Sequence, residues 1–360
     1  MQRSTKKMIV HIIESSATGT LSVVLMATHQ QVKNHTVNTI YSRRPDTPQN
    51  ITSLFESQVN LIEEDLSAKR FPWSVFALRR HLKQLKPDII HCHSSFAGFV
   101  GRLASLGLKG KVFYSPHCIS FMRQDISETK RHLFKLFERI GCMKSSTYIA
   151  CSLSEKKAIE QALPTVTVRL VENAVDLSDF PQCLSFNEAH KASIKVVTVG
   201  GIRPQKGPEE FARIAALSSS LPIEFIWIGD GEISSKELLR EAGVRVVGWC
   251  SRSEVLAYLQ SADLYLSTSR WEGMPISIIE AFATGIPVVA RNCAGNHDLI
   301  EHTINGHLFD TTEDAITLIH EFLDSPQAFL QGAQCAHQQV FERFSIKRFS
   351  NQLEQVYQHS

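Results

Sequence analysis

Two short stretches of this 360-residue chain carry residue types spaced for chemistry. The first is Val199-Gly200-Gly201-Ile202-Arg203-Pro204-Gln205-Lys206-Gly207-Pro208-Glu209-Glu210. It follows a strand-like run and opens a helical one, with Pro208 near the first helical position. A helix N-terminus offers unpaired N–H groups and about half a unit of positive charge. Gly200 and Gly201 let a phosphate come close to the backbone. Arg203 and Lys206 add formal charge. Such a loop can hold a diphosphate and stabilise it as a leaving group. It is neither G-x-G-x-x-G nor a Walker A loop, so NAD binding and ATP hydrolysis lose support. The competing reading is an ordinary strand–helix turn with solvated basic side chains.

The second stretch runs from Ser267 through Arg270-Trp271-Glu272-Gly273-Met274-Pro275-Ile276-Ser277-Ile278-Ile279-Glu280 to Gly285-Ile286-Pro287-Val288-Val289. It reads as strand, loop, helix, glycine stop and strand. Glu272 sits in the loop, and Glu280 sits early in an otherwise apolar helix. A carboxylate in so apolar a setting needs a partner. Sugar or ribose hydroxyls would serve. A capping box, with Ser277 as N-cap and Glu280 reaching back to it, fits the spacing equally well.

Elements that could position these loops recur along the whole chain. Strand-like runs are Met8–Ile13, Thr36–Tyr41, Ile89–His91, Lys111–Ser115, Thr147–Cys151 and Thr167–Val171, then Lys195–Val199, Glu224–Ile228, Arg245–Val247, Asp263–Ser267 and Pro287–Ala290. Helical runs between them are Leu21–Val32, Trp73–Leu85, Gly98–Leu106 and Thr129–Ile140, then Glu209–Leu217, Ser235–Ala242, Arg252–Leu259 and Ile278–Ala283. Strand–helix alternation means a parallel sheet covered on both faces. Two such series imply an α/β protein of two doubly wound, Rossmann-like lobes, joined near Leu177–Ser193. The lobes are expected over 1–180 and 190–339, with a terminal helix, about 340–360, packing back on the first. Ligands in such folds bind beyond the carboxyl ends of the strands, which points to a cleft between facing lobes.

Composition agrees with a globular chain: 43% hydrophobic and 21% charged. The apolar run Met8–Ile13 behind a basic N-terminus reads as a buried strand rather than a signal peptide, so a cytoplasmic protein is expected. Eight cysteines form no C-x-x-C pair, which suits small buried side chains better than disulfides. His91-Cys92-His93 resembles a metal tract. Strand alternation puts Cys92 on the other face, and no second ligand cluster is visible, so no metal site is expected. His117 stands at another strand end, where a histidine is more often a satisfied structural residue than a catalyst.

Net charge is +2, but residues 1–180 hold 24 Lys and Arg against 15 Asp and Glu, while residues 181–360 hold 14 against 21. The basic half could meet an anionic partner, or the asymmetry could serve lobe-to-lobe attraction with no partner at all. No zinc finger, basic helix or RNP motif supports nucleic acid. Two basic, aromatic-bearing stretches stand out. One is Lys69-Arg70-Phe71-Pro72-Trp73 with Phe76, Arg79, Arg80 and Lys83. The other runs from Arg123 through Lys130-Arg131-His132-Leu133-Phe134-Lys135 to Arg139 and Lys144. They fit peripheral contact with an anionic membrane or ordinary solvated faces equally well.

From about Lys195 to Phe309 the chain resembles the donor lobe of family 4 glycosyltransferases. The Glu272/Glu280 pair in EGMPISIIEAFATGIPVV matches that family's most specific signature, and VGGIRPQKG its phosphate loop. VVGWCSRSEVLAYLQSADLYLSTS and GNHDLIEHTINGHLF also match in type and order. In the first half ATGTLSVV, KPDIIHCHSSFAGFVGRLA, YSPHCISF, IACSLSEKKAI and VENAVDLSDF match less specifically. The resemblance implies a GT-B fold and retaining transfer of a hexose or N-acetylhexosamine from a nucleoside-diphosphate sugar, UDP favoured, without a metal or other cofactor. The acceptor would be a glycan or polyprenyl-linked oligosaccharide of a bacterial surface polysaccharide. It further implies that Glu280 binds the ribose and that Glu272 faces the donor sugar. Gly273 and Met274 amides, followed by Pro275 and Ile276, would lie along sugar or diphosphate. Arg203 and Lys206 would neutralise the diphosphate, Gly19 would admit the donor phosphate, and His117 would lie beside the transferring hexose. Departures are Gly201 where the family has Arg, Thr18-Gly19-Thr20 where it has paired glycines, Asp298 for Glu, and Ala174 after Asn173 for Gly. A nucleotide-sugar epimerase of the same fold and a catalytically silent nucleotide-sugar-binding scaffold are the alternatives.

Overall fold

A computed structural model of the chain describes residues 6–14, 18–184 and 193–359. Much of the expected Leu177–Ser193 join, residues 185–192, lies outside the described residues, as do Ser15, Ser16 and Ala17. The chain forms two compact units, Met1–Asn173 with Ile346–Ser360, and Ala174–Ser345.

The first unit contains β1 (Met8–Ile13), α1 (Thr18–Gln31), β2 (Thr36–Tyr41), α2 (Ile51–Leu54), β3 (Asn60–Glu63), α3 (Trp73–Leu85), β4 (Ile89–His93), α4 (Ser95–Ala104), β5 (Lys111–Ser115), α5 (Glu128–Gly141), β6 (Ser146–Ala150), α6 (Leu153–Ala162) and β7 (Thr167–Leu170). Its sheet runs β3-β2-β1-β4-β5-β6-β7, every pairing parallel. Strand order reverses between β1 and β4. Central strands such as β1 and β4 are buried along nearly their whole length, as a sheet covered on both faces requires.

The second unit contains β8 (Ile194–Val199), α7 (Pro208–Leu217), β9 (Ile223–Ile228), α8 (Ile233–Glu241), β10 (Arg245–Gly248), α9 (Arg252–Ser261), β11 (Leu264–Ser267), α10 (Ile276–Thr284), β12 (Val288–Arg291), β13 (His307–Phe309), α11 (Thr312–Asp324) and α12 (Gln327–Arg343). Its parallel sheet runs β10-β9-β8-β11-β12-β13, with the reversal between β8 and β11. The last helix, α13 (Ile346–His359), packs on α1 in the first unit.

Sequence periodicity misses β3 and β13 because each is only three or four residues long. It misses α6 because LSEKKAIEQA buries only Glu155 and Ile159 and shows no apolar stripe. Helices α11 and α12 were also not anticipated. None of the eight cysteines is in a disulfide. Among the described residues no helix is long and apolar enough to cross a membrane.

One buried ion pair ties the helices of the first unit together. Arg102 on α4 reaches Glu138 on α5 at 2.7 Å, and the Tyr114 and Tyr148 hydroxyls donate to the same carboxylate at 3.0 and 2.9 Å. Both charged groups are almost fully buried, and the hydrogen bonds satisfy what burial would otherwise leave unpaired. This fixes which face of α5 turns inward.

Candidate active site

In the second unit both chemistry-bearing loops leave the carboxyl ends of β8 and β11. These strands flank the reversal in strand order, the place where open α/β sheets bind ligands. The loops are joined at several points. Thr268 Oγ1 donates to the carbonyls of Lys206 and Gly207 at 2.9 and 3.0 Å, and the Arg270 amide donates to Gln205 O at 2.8 Å. Gly207 has φ +65°, and a Cβ there would stand 2.3 Å from Thr268 O. Only glycine allows that approach.

This junction brings Lys206 and Glu272 together. The Lys206 ammonium lies 2.7 Å from Glu272 Oε1, and Gln205 Nε2 donates to Glu272 Oε2 at 3.1 Å. Burial disfavours the lysine charge, but the Glu272 carboxylate and nearby Tyr265 outweigh it and hold the pKa above the ordinary lysine value. Glu272 is further fixed by its amide, which donates to Ala294 O at 2.9 Å, and by Gly295, where a Cβ would fall 2.5 Å from the Glu272 Cβ. Gly200 and Gly201 lie in the same loop, beside the Lys206 and Arg203 side chains. Arg203 itself is exposed.

Gly273, Met274 and Pro275 are buried ahead of α10, and Ile276 is its first residue. Pro275 is the N-cap and no side chain caps the helix. The capping-box reading of Ser277 and Glu280 therefore fails. Glu280 instead hydrogen-bonds the Arg252 guanidinium, whose Nε lies 3.2 Å from Asp179. Burial raises the Glu280 pKa, and Arg252 opposes that shift. Sequence reasoning missed Arg252. It starts α9 behind a Ser251/Glu254 capping box, and nothing local marks it as the partner of a carboxylate on α10.

In the first unit Gly19 is exposed in the first turn of α1 rather than in the loop before it. His117 follows β5 with φ +54°, and Cys118 after it has φ +86°. Two successive non-glycine residues in this region are strained. The buried Glu155 carboxylate holds them by accepting from the Cys118, Ile119 and Cys151 amides at 2.7, 2.9 and 2.9 Å. Glu155 was not anticipated either. Its place near the start of α6 looks like helix chemistry alone.

His117 ends a line of imidazoles. His117 Nε2 meets His93 Nδ1 at 3.0 Å, His93 Nε2 meets His11 Nδ1 at 2.9 Å, and His11 Nε2 meets Gln31 Oε1 at 2.7 Å. Burial pushes the pKa of His11 and His117 down to about 4 and that of His93 well below the usual value, so all three are neutral near pH 7. The amide oxygen of Gln31 can only accept. It therefore orders every proton in the line, and His117 presents an Nδ1 lone pair.

The missing ligand group of the His91-Cys92-His93 tract is corrected here. Parallel pairing of β1 with β4 sets His11 opposite His91, and His11, His91 and His93 each offer a nitrogen within 4.8 Å of the others. Those of His11 and His93 are engaged along the line, and those of His91 by Tyr357 and Ser115 at 2.7 and 2.8 Å. The group is a hydrogen-bonded network. Cys92 lies on the opposite face against Gly101, as alternation requires.

Comparison with known proteins places this arrangement. Residues 193–325 match the family described as glycosyl transferases group 1, and residues 20–179 match glycosyltransferase family 4. The chain is 29% identical to a 41.2 kDa protein in the cps region of Klebsiella pneumoniae, over 88% of this chain and 89% of that one. It is 29% identical to the Escherichia coli UDP-Gal:alpha-D-GlcNAc-diphosphoundecaprenol alpha-1,3-galactosyltransferase, over 67% of each. The Anabaena protein HepE in complex with UDP-glucose superposes with a TM-score of 0.82 at 18% identity, covering 98% of this chain and 100% of that one. Fold and site thus define the class, a GT-B glycosyltransferase. The chain carries a glycosyltransferase family 4 domain followed by a glycosyl transferases group 1 domain.

Proposed function

We propose that this enzyme is a retaining transferase that moves a hexose or N-acetylhexosamine from a UDP-sugar to a glycan or polyprenyl-linked oligosaccharide in surface polysaccharide synthesis. One observation carries the reading: a half-buried lysine, Lys206, is paired with the buried Glu272 carboxylate where the β8 and β11 loops meet ahead of α10. The names of the relatives support the donor and acceptor classes, since one uses UDP-Gal on a diphosphoundecaprenol-linked sugar.

The acceptor hydroxyl attacks the anomeric carbon on the face from which the diphosphate leaves. The new glycosidic C–O bond forms as the sugar–phosphate bond breaks, and the leaving phosphate oxygen takes the hydroxyl proton. Lys206, Arg203 and the amides of Gly200, Gly201, Gly273 and Met274 stabilise the departing charge in place of a metal. Glu272 orients Lys206 and the sugar, and Pro275 and Ile276 close the loop over the donor. Glu280, braced by Arg252, accepts from the ribose hydroxyls. In the first unit the His117 lone pair accepts from a sugar hydroxyl.

A donor-hydrolysis screen over UDP-, GDP- and ADP-sugars, with calorimetric titration of the three nucleoside diphosphates, tests the reading. Binding of UDP with slow hydrolysis of a UDP-hexose is the expected result. Turnover of GDP- or ADP-sugars with UDP-sugars untouched would overturn the donor assignment.

A further inference from the structure

Both basic, aromatic-bearing stretches of the first unit form outward helical faces, and the fold joins them. On α3 the core side is Ser74, Leu78 and Leu82. The opposite side carries Trp73, Phe76, Arg80 and Lys83, spaced to form one stripe. Trp73 is 68% exposed and Phe76 66%. On α5 the pattern repeats. Glu138 and Gly141 face inward, while Leu133, Leu136 and Phe137 are exposed at helical spacing. Phe99 on α4 bridges the two helices, its ring 5.9 Å from Phe71 ahead of α3 and 5.4 Å from Phe137 on α5. The result is one apolar surface across α3, α4 and α5.

Its charge is predominantly positive. No acidic residue occurs between Asp65 and Asp88. On α5 Glu138 is buried against Arg102, which leaves Glu128 in the first turn. Lys69, Arg80, Lys83, Lys130 and Arg139 are exposed, and none is in an ion pair among the described residues. Arg79 and Lys144 belong to the fold instead, since they donate to carbonyls at the end of α4 and to Leu108. A protein partner of ordinary composition would present carboxylates at fixed points. A broad apolar strip edged by unpaired lysines and arginines matches a planar anionic surface with an apolar interior.

We propose that this surface docks on an anionic phospholipid bilayer, with Trp73, Phe76, Leu136 and Phe137 entering the headgroup boundary and the surrounding cations meeting lipid phosphates. The inference extends the reading of a polyprenyl-linked acceptor, but vesicle binding requires no transfer activity, so either can fail alone. The test is flotation of the full chain with phosphatidylcholine vesicles, with and without about one third phosphatidylglycerol. Two double variants, Trp73→Ser with Phe76→Ser and Arg80→Glu with Lys83→Glu, change only exposed side chains. The intact protein should float with the anionic vesicles, and each variant should partition about tenfold more weakly at unchanged UDP affinity. Three outcomes count against the proposal. One is failure to float with anionic vesicles. Another is equal flotation of the variants. The third is sedimentation showing a dimer that Trp73→Ser with Phe76→Ser splits, which would give the surface to a second copy of the chain.

Discussion

Lys206→Ala should lower turnover by about a hundred- to a thousand-fold, in the range seen when one donor to a developing negative charge is removed. The ammonium is held against Glu272 at 2.7 Å, and the strand–loop–helix join around Gly207 sets its position. A group fixed in this way does not reorganise as charge builds on the leaving diphosphate, so its loss should fall mainly on kcat. Lys206→Ala also leaves Glu272 buried without its cation, and that change can lower stability by itself. A double variant, Lys206→Met with Glu272→Gln, removes both charges. If it melts near the parent temperature and is equally inactive, the loss is chemical. Full activity in a folded Lys206→Ala protein would remove the lysine from the site.

Glu280→Ala should weaken UDP binding by about ten- to a hundred-fold, the size expected for losing charge-assisted hydrogen bonds. The structure makes this a clean test, because α10 starts after Pro275 with no side-chain cap and does not use Glu280 to start. The helix should persist, and circular dichroism should show it. Arg252 keeps Asp179 as a partner at 3.2 Å, so it is not left alone. Arg252→Ala should move affinity in the same direction by a smaller factor, since it supports the carboxylate without being assigned to ribose. Unchanged calorimetric affinity in Glu280→Ala would return Glu280 to a structural part.

Local order was legible where one element decides it. Trp73–Leu85 reads as a helix from its apolar spacing and is one. Val199 to Glu210 reads as strand, turn and helix start because glycine and proline mark the joints. Pairings that depend on sheet order were not legible. Lys206 and Glu272 lie far apart in the chain and meet only because β8 neighbours β11. His11 joins His91 and His93 only because β1 neighbours β4. Glu280 shows the opposite error. Its spacing from Ser277 suggests a local bond, but Pro275 already starts the helix and Arg252 offers a full charge. The outward aromatics of α3 were visible as residues. Their union with α5 needed Phe99 between them.

The imidazole line also bears on how the protein withstands acid. His11, His91, His93 and His117 are all neutral when folded, the first three buried and His117 half-buried, with pKa values near 4 or well below the ordinary 6.5. An unfolded chain takes up a proton on each as the pH falls through about 6.5, and the folded chain does not. Stability contributed by these groups is complete above that pH and drains away as the pH drops toward 4. Among the described residues the second unit has one histidine of this kind, His307. Mild acid should therefore loosen the first unit while the lobe that carries Lys206 and Glu280 stays folded.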